Sequence, residues 1–252
     1  MRNRVRNRRV VLQSAIAMFL VTTVVVTLAA PIGMQSAEAQ NQPAFETRVQ
    51  ILHASPDLGK VEVHINYDEV VDEFEYGDMS DWITIDPGSN RFTITYDRAG
   101  FNYAAFDVVY PVPAGNDYYV IISDAIVMSS VVDRTPVSGG GARLRVDQAA
   151  VDLPAVNVEA TTGNVSFATE LAYPRSSDYV SVPAGTYDVE VTVAGTGESI
   201  LTMPGMVFDD NMVYELVIMG EPGDDDKPLE IRTLVDTTVG TTEATPAATP
   251  AA

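Results

Sequence analysis

The chain has 252 residues, with 15 Lys+Arg against 35 Asp+Glu, two His and no Cys. Without Cys there is no disulfide, thiolate nucleophile or thiolate metal site, and two His are too few for a multi-histidine metal centre. A net charge of −20 is the opposite of the basic footprint that a nucleic-acid binder needs.

The first segment reads as an export signal. Met1 to Arg9 carries five Arg and no acid, and Val10 to Ile32 is an apolar run. Ala37-Glu38-Ala39 then places small residues at the two positions a signal peptidase reads. Residues 1–39 are expected to be a cleaved signal peptide, with an uncleaved anchor as the alternative, since 23 apolar residues are long enough to span a bilayer. Cleavage leaves 10 basic and 34 acidic residues, a net of −24, and only Lys60 and Lys227 as lysines. Such a surface keeps an exported protein in solution and repels anionic membranes. Residues 40–47 form a short N-terminal linker.

The body is one unit copied twice. Arg48 to Val63 (RVQILHASPDLGKVEV) aligns without gaps to Arg143 to Val158 (RLRVDQAAVDLPAVNV), with six identities in sixteen. Tyr76 to Gly88 aligns to Tyr173 to Gly185, and Asn116 and Tyr119 are aligned to Asn211 and Tyr214. Three blocks in the same order make chance a poor explanation. The copies are expected at 48–133 and 143–236, with 134–142, which holds a Gly triplet, as a flexible joint.

Each copy reads as β. Val61, Val63 and Ile65 alternate with polar residues, as do Phe92, Ile94 and Tyr96, and Tyr187, Val189, Val191 and Val193. That period of two marks half-buried strands. Tyr118–Ile122 and Tyr214–Met219 are more continuous and are expected to be central strands. Turn signals recur at Pro87-Gly88, Gly115-Asn116, Ala184-Gly185 and Asp209–Asn211. The expected fold class is all-β: two tandem immunoglobulin-like β-sandwich domains after the signal peptide. The tail, 237–252, is a Thr/Ala/Pro stretch that cannot build a core and is expected to be disordered.

These blocks resemble the domain of unknown function 4397 family. The likeness rests on His53-Ala54-Ser55-Pro56-Asp57 with Val61 and Val63, then Ser80-Asp81-Trp82 and Pro87-Gly88. In the second copy it rests on Asp152, Val156 and Val158, then Ser177-Asp178-Tyr179 and Val182 to Gly185. It covers about residues 48 to 236. The resemblance implies secreted or surface-attached bacterial proteins, often with tandem copies, and no known activity. The second copy departs at Gln148 to Val151, where His, Ser and Pro are missing.

His53, Ser55 and Asp57 are a tempting catalytic set. On one extended segment their side chains stand about 6–7 Å apart, too far for a direct relay. Asp57, Asp152, Asp81 and Asp178 are therefore expected to cap turns by accepting backbone N–H bonds, and no catalytic residue is assigned. His64 is expected to be solvated. Trp82 and Tyr179 fill equivalent places and are expected to anchor a core. Asp224, Asp225 and Asp226 form the densest acidic run, but an EF-hand-type calcium loop needs acids at alternate positions and a central Gly, so these are weak metal candidates. Phe101, Tyr103 and Phe106 have no aromatic counterparts in the second copy. They are a candidate ligand edge, with core filling as the alternative. Asn164-Val165-Ser166 matches a glycosylation sequon and is read as chance.

The sequence therefore points to a secreted or cell-surface, non-enzymatic module with a structural or surface-interaction role. The alternatives are a carbohydrate- or calcium-binding extracellular domain and, third, a secreted hydrolase. No cofactor is expected. The partner is an unknown extracellular or cell-envelope component, with neither nucleic acid nor, after signal cleavage, membrane.

Overall fold

The computed structural model describes residues 46–98, 101–124, 126–163 and 165–237. The signal peptide, all but the end of the 40–47 linker, the tail from residue 238 and Asn164 lie outside the described residues.

The first copy contains β1 (Thr47–His53), β2 (Val61–Ile65), β3 (Asp68–Phe74), β4 (Ile83–Ile85), β5 (Gly88–Arg98), β6 (Phe101–Val112), β7 (Asp117–Ser123) and β8 (Ile126–Val131). The second contains β9 (Ala142–Gln148), β10 (Val156–Ala160), β11 (Ser166–Leu171), β12 (Arg175–Ser176), β13 (Val180–Val182), β14 (Gly185–Val193), β15 (Ser199–Phe208), β16 (Met212–Met219) and β17 (Glu230–Thr237). Among the described residues there is no helix, so none long and apolar enough to cross a membrane.

Each copy is a sandwich of two sheets. In the first, β4-β1-β7-β8 faces β3-β2-β5-β6. In the second, β12-β9-β16-β17, with β13 also on β9, faces β11-β10-β14-β15. With β13 in the place of β4, and β12 as an added short strand, the two orders match, which carries the duplication from sequence into topology. β1 runs parallel to β7, as β9 does to β16, and the remaining pairs are antiparallel. The layout is immunoglobulin-like in kind, two face-to-face sheets around an apolar core, with its own strand order.

The alternating strands do what their period requires. Val61, Val63 and Ile65 point inward with Phe92, Ile94, Tyr118, Val120 and Ile122. Val156, Val158, Val189, Val191, Tyr214, Leu216 and Ile218 build the equivalent core in the second copy. β7 is buried at every position and β16 at all but its first. The cause is a third core. Tyr119 and Ile121, on the other face of β7, join Leu52, Ala54, Val213, Val217, Met219 and Leu234 in one cluster drawn from both copies. The outer face of β4-β1-β7-β8 thus packs on the outer face of β12-β9-β16-β17. Both copies use the same face, as in an isologous dimer interface.

The parallel register corrects one alignment. Val49 pairs with Tyr118 and Leu144 with Tyr214. Since Val49 and Leu144 are equivalent, Tyr118 is the counterpart of Tyr214, and Tyr119 is the counterpart of Glu215. A shift of one residue moves a strand position to the opposite face, so this decides which residue of β16 meets the other copy.

Candidate recognition surface and the seam between the copies

The turn after β1 is tied by His53. Its Nε2–H donates to the Gly59 carbonyl (2.7 Å), and its Nδ1 accepts from the Ser55 amide (3.3 Å). Burial lowers its pKa and keeps the ring neutral. With both nitrogens engaged, His53 has none left to serve Ser55 as a base. In the second copy Gln148 takes the same role, its Oε1 accepting from the Ala150 amide (3.0 Å). The missing His of that copy is thus a substitution of one acceptor for another. Asp57 and Asp152 are exposed, and the amide acceptors of these turns are His53 and Gln148.

The Ser-Asp pairs work through their serines. Ser80 Oγ accepts from the Ile51 amide (2.9 Å) and donates to the Asp81 carbonyl (2.8 Å). Ser177 Oγ accepts from the Val146 amide (3.0 Å) and donates to the Asp178 carbonyl (2.9 Å). These hydroxyls bind the approach to β4 and β13 onto β1 and β9. The Asp81 and Asp178 residues are exposed and contribute main-chain carbonyls, so the expected capping falls on the neighbouring serines.

Trp82 and Tyr179 do anchor a core, the one between the copies. The Trp82 ring lies 5.3 Å from Tyr119 and under the Arg48 guanidinium at 4.9 Å. Tyr179 lies under Arg145 at 4.4 Å.

The acidic run folds as a turn. Asp224 Oδ1 accepts from the amides of Asp226 (2.7 Å) and Lys227 (2.9 Å), and those bonds hold its pKa below the ordinary carboxylate value. Asp225 and Asp226 are exposed. Lys227 Nζ reaches across to the Pro56 carbonyl of the first copy. Among the described residues no group of three or more His, Asp or Glu side chains converges as a metal site. His64 is partly exposed, 3.7 Å from Glu62.

The β5–β6 hairpin divides the candidate ligand edge. Phe101 is 68% and Tyr103 47% exposed, whereas Phe106 packs against the first copy's core. Tyr96 backs Tyr103 at a ring distance of 5.9 Å. The pairing of β2 to β5 ends at Tyr96, while β5 and β6 continue to Arg98 and Phe101. The paired ends of β5 and β6 therefore run past the last β2 pair, and β6 is an edge strand. On the outer face of the same hairpin Arg91 makes a two-pronged ion pair with Asp107 and lies 5.1 Å over the Tyr67 ring.

The residues that sequence reasoning missed lie in the seam. Glu215 is fully buried. Its carboxylate accepts from Ser130 Oγ (2.9 Å), Arg145 Nη2 (2.7 Å) and the Tyr179 hydroxyl (2.7 Å). Asp147, also fully buried, accepts from Ser176 Oγ. Burial first, then the Glu215 carboxylate, raises the Asp147 pKa well above the usual carboxylate range. Arg134 bridges Asp117 of the first copy and Asp236 of the second. By register, Arg145, Asp147 and Glu215 stand where the first copy has Gln50, Leu52 and Tyr119. The second copy's face thus carries charge at three places where the first has none. The available signal was a lone Glu inside the apolar run Tyr214–Met219.

The family model described as "Domain of unknown function (DUF4397)" matches residues 47–159 and again 142–248. The chain belongs to that family, in two tandem copies. No curated protein sequence matches it. Solved structures similar to it include two described as a "putative cell adhesion protein" from Parabacteroides distasonis. One has 8% identity and a TM-score of 0.20, covering 78% of this chain and 98% of that one; the other has 8% and 0.22, covering 76% and 97%. A third, so described from Bacteroides ovatus, has 11% identity and a TM-score of 0.22, covering 78% and 99%. At such scores the likeness transfers no role.

Proposed function

We propose that this protein is an exported, non-enzymatic recognition module whose binding element is the tip of the β5–β6 hairpin. The observation that carries the reading is the exposure of Phe101 and Tyr103, 68% and 47%, at the end of an edge strand, with no aromatic at the matching end of the second copy's hairpin. Large rings left in water cost hydrophobic free energy unless a partner covers them. Flat aromatic faces with polar neighbours suit carbohydrate rings and other envelope polymers. The Arg-rich, apolar and Ala-x-Ala order of residues 1–39 supports export. The strongly acidic surface supports life outside anionic membranes. The commitment of both His53 nitrogens to turn bonds supports a role without bond-making.

Binding of the mature chain to a glycan array and to isolated cell-envelope polymer tests the reading. Wild type is expected to bind, and Phe101→Ala/Tyr103→Ala to lose at least about tenfold in affinity with unchanged thermal stability. Equal binding by the double variant would overturn it.

A further inference from the structure

The first copy contains a cavity of about 160 Å³ between its sheets, lined by Phe92, Phe106, Val108, Tyr110, Val112 and Tyr118 among others. No charged residue lines it. It reaches the surface along β6, where Phe106 and Val108 are half-buried and Tyr110 is 41% exposed.

The second copy shows what the same architecture looks like when filled. Val112 pairs with Gly88 and Phe208 with Gly185, so Phe208 replaces Val112. Asn90 pairs with Tyr110 and Tyr187 with Met206, so Tyr187 replaces Asn90. In the second copy Tyr187 and Phe208 pack as a tilted pair and Phe208 and Tyr214 edge to face, with ring distances of 5.4 Å and 5.0 Å. In the first copy the Asn90 side chain instead donates to the Asp86 carbonyl (2.9 Å) and accepts from Asn66 (2.7 Å), tying loops together. The void is thus no requirement of the sandwich. The first copy lacks the rings of Tyr187 and Phe208 but carries Phe92, Phe106 and Tyr110 where the second has Val189, Leu201 and Met206, and this different set of rings leaves a space open between them; an unfilled apolar void costs stability.

We infer that the first copy binds a small, uncharged, single-ring aromatic or compact aliphatic molecule in this cavity, entering past Tyr110. The size fits, since an apolar void of about 150 Å³ stays dry and takes benzene or xenon. The lining fits as well, because rings and branched aliphatics without a cation or carboxylate favour apolar over ionic ligands. The site is separate from the hairpin tip, because Phe101 and Tyr103 do not line it.

The test uses fluorobenzene as probe on the full mature chain, read by fluorine NMR line broadening and by the shift of the melting temperature. Wild type is expected to show saturable binding. Val112→Phe, which copies Phe208, is expected to weaken it by at least about tenfold while raising the melting temperature without probe. Val108→Phe fills the same space from the half-buried rim and guards against misfolding of the first variant. Loss of binding in folded variants supports the site. No saturable binding by wild type, or undiminished binding by both variants, overturns it. Phe101→Ala/Tyr103→Ala is expected to bind the probe normally, which separates this site from the proposed recognition surface.

Discussion

Replacing Glu215 by Ala removes the acceptor on which the seam converges. The Glu215 side chain is fully buried, and its partner Arg145 is only 12% exposed. Deleting one member of a buried charged set leaves the others uncompensated, at a cost of about 3–5 kcal/mol. Adding the bonds from Ser130, Tyr179 and Arg145 separately, at about 1.5–3 kcal/mol each, would overstate the loss, because members of one network relax together. Total stabilities are about 5–15 kcal/mol, so the variant should lose a large share. With a urea slope of about 1–3 kcal/mol per molar, the midpoint should fall by at least about 1 M. The assay is urea denaturation followed by near-UV circular dichroism. Tyr119 and Trp82 sit in the same seam, so it reports on the joint directly. Arg145→Ala and the double variant complete a cycle, and the double should cost less than the sum by about 1–3 kcal/mol. A loss below about 1 kcal/mol for Glu215→Ala, or additivity within about 0.5 kcal/mol, would refute the view that this carboxylate holds the copies together.

Asp147 makes stability depend on pH in the direction opposite to most carboxylates. Its raised pKa means the native state keeps a proton that the unfolded chain releases. It is neutral to stability while both states hold the proton, and increasingly destabilising as pH rises from the unfolded carboxylate range toward the folded pKa. Asp147→Asn, which copies the protonated form, is expected to raise the melting temperature at neutral pH and to flatten that slope. An unchanged pH profile from about pH 4 to 8 would count against it. Ser80→Ala and Ser177→Ala should each cost about 1–3 kcal/mol and speed hydrogen exchange at the Ile51 and Val146 amides respectively, whereas Asp81→Ala and Asp178→Ala should stay within about 0.5 kcal/mol of wild type. Equal effects of the Ser and Asp variants would return the anchoring role to the carboxylates.

The duplication, the all-β class and most strand positions follow from local pattern. Alternation such as Val61-Glu62-Val63-His64-Ile65 needs no knowledge of distant residues, because successive side chains of a strand leave on opposite faces. That Phe101 and Tyr103 set the first copy apart was legible for a related reason, because the second copy served as an internal reference, but whether they face water or fill the core was not. Phe106 was not separable from them: the bulge between Ile94 and Thr95 brings it to the same face as Tyr103, and what divides the two is where the pairing with β2 stops, which no local signal marks.

What tertiary structure alone decided is which face of each strand meets what. The continuous burial of β7 and β16 reads as central-strand character in sequence, and its cause is a second buried face supplied by the other copy. The same chain segment carries Tyr119 in one copy and Glu215 in the other, and only the parallel register to β1 and β9 shows them to be equivalent. The cavity beside Val112 is likewise invisible in one dimension. A valine there is an ordinary core residue until the sheets close and the rings around it fail to fill the space, since packing is a property of the assembled volume rather than of the chain.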